Sequence, residues 1–528
     1  MKKLATLLLA AAMLLGAAGQ SRAVDFQVKG SWQFAFDYIN GGNFMGKDRR
    51  GNHTIGQQWA AVRQQRDEFE AMQRLHLQLH AVASENLSGT VFFEIGEQRW
   101  GMGSQGGALG ADGTVVKVKH SYIDWMVPHT PLKLRMGLQG VKLPGFALDS
   151  PVFQDDVAGI TASWKFNPNV SVTGAWMRLY NDNWSGNDAS PANYLDNFDL
   201  FVLSVPVTFE GLKITPWGMA GAMGPNTLLK SNMIGDAAGG SKTFTLANHN
   251  TQQGIDGLQL RDGLYPAAFS SRRPQSTLWS SEYSTMGWGG LTGQWSMLDP
   301  FRLSWDFVYG SVDHGRKYLN RQGWYGMLVA EYATDWGLPG LYGWYFSGDD
   351  ANPDNGSERM PYLSTTNNLT NSLSTFGYRG NPIIGGGKGI LGTNPTGTWG
   401  VGARVKDIPS LETLTHPLRV NYFGGTNNTK MGSYITGPQG RDNDGRQIYR
   451  NNTDFNSFGT YLTTADTGLE VNLDSKFKAT ENLTFVGELG YIHLWLDKDV
   501  WGQYQNIAGT SLNMKDAWKA SVNVIYAF

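Results

Sequence analysis

His76 and His80 stand four residues apart in "RLHLQLH", an interval that on a helix can bring two imidazoles to one zinc ion. Here they alternate with Leu75, Leu77 and Leu79. That is the period of a strand, which leaves two such histidines on one face but about 13 Å apart, so they read as polar strand residues and not as a metal pair. "DDANPDNGSE" (349–358) has the oxygens of a calcium loop. Counted from Asp350, however, Asn355 and Pro361 fall where that loop needs its glycine and its bidentate glutamate. "GGGKG" (385–389) departs from a phosphate loop at both ends, with Pro382 for the first glycine and Gly389 for the hydroxyl residue. There is no "HExxH", no "GxSxG" and no cysteine. No catalytic residue, metal site or cofactor is expected.

Charged side chains recur instead one at a time between apolar neighbours. Arg74, Lys133, Arg135, Lys213, Arg302, Arg404, Lys406 and Arg419 are each placed this way, and Glu94, Glu470, Asp474 and Glu488 share the habit. In a strand such a residue faces away from the apolar residues beside it. The stretch "KLPGFALDSPVFQDDV" (142–157) carries Asp149, Asp155 and Asp156. Folded inward, it would set those acids across from the basic residues, with a transverse field between them. The longer stretch 224–275, with Arg272 and Arg273, could serve the same end, and both could instead pack on a rim. Opposed charges at a narrowing are the chemistry of ion and solute selection, not of bond making.

The elements that would position these charges alternate over most of the chain. In "DFQVKGSWQFAFDY", Phe26, Val28, Trp32, Phe34, Phe36 and Tyr38 share one face and Asp25, Gln27, Lys29, Ser31, Gln33 and Asp37 the other. "LKLRMGLQ" and "FRLSWDFVY" repeat the pattern. Eighteen segments qualify: 25–38, 69–82, 87–99, 115–127, 132–141, 158–166, 170–180, 197–208, 212–223, 286–297, 301–312, 323–334, 338–347, 398–409, 416–425, 465–478, 483–496 and 517–528. Sixteen is the alternative, because 158–166 and 286–297 alternate weakly. Short connections built from turn residues, such as "ASEN", "NPN", "FEG" and "GLPG", alternate with long polar ones. Mean hydropathy is −0.33 although aromatics make up 12% of the chain. These features predict an all-β, transmembrane antiparallel β-barrel whose lipid face is apolar and whose inner face is polar.

The termini fit that expectation. "MKKLATLLLAAAMLLGAAGQSRA" (1–23) has two lysines, a short apolar run and a small-residue exit, the marks of a signal peptide cut after Ala23. The remaining residues, 24–528, form one barrel domain, and losing Lys2, Lys3 and Arg22 leaves it more acidic than the formal −2 of the whole chain. Such a balance leans toward cations and excludes a nucleic-acid partner. The last residues, "SVNVIYAF", alternate to a terminal Phe528. In a closed barrel this strand must pair with the first, with Phe528 in the interfacial aromatic belt.

Several blocks resemble the outer-membrane homotrimeric porins of Desulfovibrio-type (sulfate-reducing) bacteria. They are "SENLSGTVFFEIGEQRWG" (84–101), "LRMGLQGVKLPG" (134–145), "WYFSGDDANPDNGSERMP" (344–361), "LETLTHPLRVNYFGGTNN" (411–428) and "LEVNLDSKFKATENLTFVGELGYI" (469–492), with the "YAF" ending. The resemblance implies a homotrimer in outer-membrane lipid and lipopolysaccharide, inserted through recognition of Phe528, and passing ions and small hydrophilic solutes by passive diffusion. A substrate-specific channel, with aromatics such as Trp217 or Trp399 along the path, is the alternative. A barrel enzyme would need a cluster of catalytic residues at its rim, and a secreted solenoid would need a repeating period, which is not found.

Overall fold

From Arg321 to Tyr332 the burial alternates without a break: Tyr325, Met327, Val329 and Glu331 are enclosed, while Trp324 and Leu328 face outward. The arrangement is that of a wall with solvent or lipid outside and a filled interior. A computed structural model describes residues 24–40, 68–103, 106–110, 113, 116–181, 197–225, 260, 263–267, 282–363, 394–436, 438–441, 447–449, 461–497, 499–500 and 516–528.

The wall strands are β1 (Asp25–Asn40), β2 (Glu68–Ser84), β3 (Leu87–Arg99), β4 (Val116–Met126), β5 (Leu132–Lys142), β6 (Gln154–Lys165), β7 (Ser171–Asn181), β8 (Asn197–Ser204, resuming as Val207–Phe209) and β9 (Leu212–Met223). They continue as β10 (Ser284–Trp295), β11 (Phe301–Asp313), β12 (Arg321–Tyr332), β13 (Leu338–Phe346), β14 (Thr398–Leu411), β15 (Leu414–Gly425), β16 (Thr467–Lys478), β17 (Leu483–Trp495) and β18 (Ala517–Ala527). The sheet holds nineteen segments, two of which are the halves of β8, both paired with β9. The wall therefore has eighteen strands. The break in β8 falls at Pro206, which has no N–H to give to a ladder. Both weakly alternating segments are strands, β6 and β10.

Every neighbour pairs antiparallel, and β1 pairs with β18 from Ser31–Ala527 to Asn40–Trp518. Gly30 and Phe528 exchange backbone hydrogen bonds of 2.9 and 3.0 Å. The barrel is closed, each strand pairing with a neighbour on both sides. Outside, the Trp32, Tyr526 and Phe528 rings lie 5.2–6.1 Å apart. The Asn482 side chain, in the turn before β17, donates to the Ala527 carbonyl at 2.7 Å. The turns of two to five residues all lie at this end, beside Val24 and Phe528.

One stretch of the interior departs from a polar lumen. The inner faces of β9–β13 carry Trp217, Met219, Trp288, Val308, Tyr325, Met327 and Tyr342, in one apolar cluster with Leu143, Leu148, Val152 and Phe153 of the β5–β6 connection. Residues 143–153 thus leave the rim and lie against the far wall. Fully burying each such aliphatic or aromatic side chain contributes about 1.5–3 kcal/mol, which makes an apolar seat the condition for a loop to stay inside a barrel. Glycines on the neighbouring strands make room for the rings. A Cβ at Gly290 would stand 2.4 Å from the Trp217 indole, and one at Gly402 2.4 Å from the Tyr342 ring.

Candidate functional site

The loop 143–153 crosses the lumen as a strap. Its tip is held by one carboxylate: Asp306 of β11 accepts the backbone N–H groups of Phe146 (2.8 Å), Ala147 (3.0 Å) and Leu148 (2.7 Å). Three consecutive donors on one buried acid fix position and orientation together. Further ties run from Val152 O to Leu363 N (2.9 Å) and from Pro151 O to the Asn394 side chain (3.0 Å). The expected inward fold of this stretch is present, but its acids do not drive it. Asp149 pairs with Lys142 at the foot of the same loop. Asp155 and Asp156, expected in the loop, are strand residues, because β5–β6 pairing continues up to Lys142–Gln154. Asp155 accepts the Asp156 N–H at 2.8 Å.

The wall formed by β2–β6 is lined with charge gathered in groups around single acids. Glu94 receives Arg74 (3.4 Å), His76 (3.0 Å) and Lys117 (3.1 Å), and Lys117 also reaches Glu97. Asp156 meets Lys119 at 3.0 Å and His120 at 2.7 Å. The Phe92 ring lies between the His76 and His120 rings, at 5.0 and 5.2 Å. Nearer the short turns, Asp124 takes two bonds from Arg135, 2.7 and 2.8 Å, and one contact from Lys133 at 3.2 Å. Arg135 also lies 4.0 Å over the Tyr122 ring.

On the opposite wall a further group gathers on one acid. Glu331, 4% exposed, receives Arg302 (2.6 Å), Arg404 (2.8 Å) and Lys406 (3.0 Å). Arg404 is buried, and it is Arg302 and Lys406 that are open to solvent. This group opens a row. The register runs Arg302–Glu331–Gly340–Arg404–Arg419–Asn472–Gly490–Lys519 across eight neighbouring strands. Seven steps of about 4.8 Å span roughly 34 Å. Strands in a barrel are tilted, so such a row climbs the wall. Arg302 lies one residue from the short-turn end of β11, whereas Lys519 lies near the far end of β18. Acids flank the climb: Asp474 at 2.5 Å from Arg419, and Glu488 at 3.8 Å from Lys519.

All eight basic residues expected to line the lumen lie on the inner faces of their strands, with Lys213 exposed near the short turns. Lys117, Lys119 and Lys519 were missed, although "VKVK" and "AWKASVNV" alternate plainly; His120 follows Lys119 directly and turns inward only through a register shift in the β3–β4 ladder, which alternation does not reveal. Asp306 alternates too, in "FRLSWDFVY", but its partners lie 158–160 residues away and are backbone groups, which no side-chain pattern reveals. Of the two aromatics considered for a solute path, Trp217 faces inward and is buried. Trp399 packs on the outer face against Tyr422, ring centroids 5.8 Å apart. His76 and His80 have separate partners, Glu94 and Thr90. In 350–358 the oxygens serve the loop itself: Asp350 accepts the Asn352 N–H (2.6 Å) and the Asn355 amide (2.9 Å), while Glu358 accepts the Asp350 N–H (3.0 Å). Among the described residues no group of three or more His, Asp or Glu is placed to hold a metal ion. Residues 1–23, 385–389 and Arg272 and Arg273 lie outside the described residues.

No family model and no curated protein matches the sequence. Solved structures similar in fold include those of Pseudomonas aeruginosa OpdO (12% identity, TM-score 0.47, covering 95% of this chain and 97% of that one) and OccK9 (OpdG) (11%, 0.47, 95% and 98%). OpdQ is similar at 11% identity and a TM-score of 0.46, over 95% of this chain and 97% of that one. These likenesses run the length of the barrel, at identities that pass on no solute or partner.

Proposed function

We propose that the chain is an outer-membrane porin, a water-filled channel for passive diffusion of ions and small hydrophilic solutes, narrowed by the strap 143–153. One observation carries this reading: a closed barrel with its polarity inverted, its outer face set with exposed Phe307, Tyr309, Leu328 and Trp518 and its inner face with ion pairs. Only a surrounding of lipid makes that arrangement favourable. Selectivity resides in the inner charges Arg74, Lys133, Arg135, Lys213, Arg302, Arg404, Lys406 and Arg419, with Asp149, Asp155 and Asp156 at or beside the strap. The whole-chain acidity leans toward cations. The solvent-open Arg302 and Lys406, at the periplasmic mouth where the short turns lie, favour anions locally. A substrate-specific channel, the alternative reading, would need aromatics along the path, whereas Trp217 is buried in the apolar cluster and Trp399 lies on the outer face.

The finer proposals rest on sequence: export with cleavage after Ala23, insertion through Phe528, and a homotrimer in lipid and lipopolysaccharide, as in the Desulfovibrio-type porins. Planar-bilayer recording of the unheated, detergent-purified protein tests the channel and its trimeric assembly. Large steps that scale with salt, in triplets, are expected. A protein that inserts but conducts nothing would refute the porin reading.

A further inference from the structure

Between β4 and β5 the wall is laddered over only part of its height. Rungs run from Met126–Lys133 to Ser121–Leu138 and stop. Yet β4 continues to Val116 against β3, and β5 continues to Lys142 against β6. Residues 116–120 and 139–142 therefore adjoin along a seam without backbone rungs. Unpaired strand edges are costly in a barrel wall, since lipid offers them no hydrogen bonds.

Where the strands part, Gly137 has φ +132, and a Cβ there would lie 2.2 Å from the Ser121 carbonyl oxygen. Only glycine permits this close approach in that conformation. Beyond it, the hairpin of β5 and β6 continues alone and bears the strap. Side chains close the seam: Asp156 of β6 reaches past β5 to Lys119 (3.0 Å) and His120 (2.7 Å) of β4, and Lys119 lies 3.9 Å from Glu94 of β3. Gly140 leaves room for the contact. A Cβ there would stand 3.1 Å from His120 Nε2 and 3.5 Å from the Asp156 carboxylate.

We infer that the β5–β6 hairpin and its strap are one hinged unit of the wall, pivoting at Gly137, and that Asp156 is the clasp holding this unit to β4. Asp156 is thus a positioning residue for the narrowing, acting on its stem while Asp306 acts on its tip. Breaking the clasp frees the upper hairpin and leaves the β3–β4 ladder intact, because that ladder does not depend on the seam.

Hydrogen exchange of the full-length protein in micelles, followed by mass spectrometry, tests the clasp whether or not the protein conducts. Asp156→Asn is expected to speed exchange over 139–153 by roughly twofold to fivefold, the range for a partly exposed charged contact. Peptides from 87–95 should keep their rate. The exchanged pair Lys119→Asp with Asp156→Lys should return the hairpin to within about twofold of its original rate. In the unaltered protein, 1 M salt should speed the same peptides relative to 50 mM by screening the clasp, an arm that needs no variant to fold. Unchanged exchange over 139–153 in Asp156→Asn, a uniform rise over all strands, or failure of the exchanged pair to restore protection would each overturn the inference. So would indifference of these peptides to salt.

Discussion

Replacing Asp306 by alanine removes the acceptor of three backbone N–H groups at 2.7–3.0 Å, the hold on the strap's tip. Hydrogen bonds to a charged group contribute about 1.5–3 kcal/mol each. The freed N–H groups can take water from the lumen, and the substitution also relieves the burial of a carboxylate. About 1 kcal/mol per bond, or roughly 3 kcal/mol for the three, is therefore the realistic loss. A change of that size multiplies the population of the displaced strap by roughly 150-fold. Two readouts follow. Unitary conductance should rise or switch between a small and a large level, and amide exchange at 146–148 should quicken by a factor of that order. Asp306→Asn should lie between, since its one remaining oxygen can still accept the Ala147 and Leu148 N–H groups, which share Oδ2. Unchanged conductance together with unchanged exchange at 146–148 would show that the apolar seat alone holds the strap, and would refute the assignment of Asp306.

Three further outcomes are expected. Arg302→Gln with Lys406→Gln removes the two solvent-open positive charges beside Glu331; a unit charge about 8 Å from a passing ion in water contributes roughly 0.5 kcal/mol. The reversal potential under a salt gradient should then move toward cations by a factor of several in permeability ratio, and a shift of opposite sign would contradict the reading of the mouth. Burial, reinforced by Asp349 and Asp350, raises the Glu358 carboxyl above its ordinary range. A raised acid is protonated more readily in the folded state, so stability falls as pH climbs from the ordinary range through the raised one. Glu358→Gln keeps the acceptor for the Asp350 N–H, and should raise the unfolding midpoint at pH 7 while adding nothing at pH 4. Phe528→Ala removes the ring that covers Gly30 and packs on Trp32. About 1–2 kcal/mol should be lost, read as a lower temperature for the heat-induced mobility shift in detergent gels; an unchanged shift temperature would show that the closing strand pair does not limit stability.

The wall was legible in the sequence because its rule is local. A strand in lipid must alternate, and a turn of two to five residues must use turn chemistry, so eighteen segments and their short connections could be read off within a few residues. Inward charges followed from the same parity, which is why Arg302, Arg404 and Arg419 fell where expected. β6 was the revealing exception. Its start at Gln154 was masked because "QDDV" reads as loop until β5 is seen to extend beside it, and with it Asp156 changed from a loop acid to a clasp.

What the chain's order of residues determined by itself was therefore the barrel, its inside and outside, and the identity of the charges that line it, since each depends on neighbours one or two positions away. The tertiary structure alone decided which charges meet. Arg302, Arg404, Arg419 and Lys519 form one climbing row only because register aligns eight strands, and Asp306 becomes an anchor only because a loop some 160 residues earlier folds onto it. Register, strand tilt and loop docking are set by packing across the whole ring, and no local pattern encodes them.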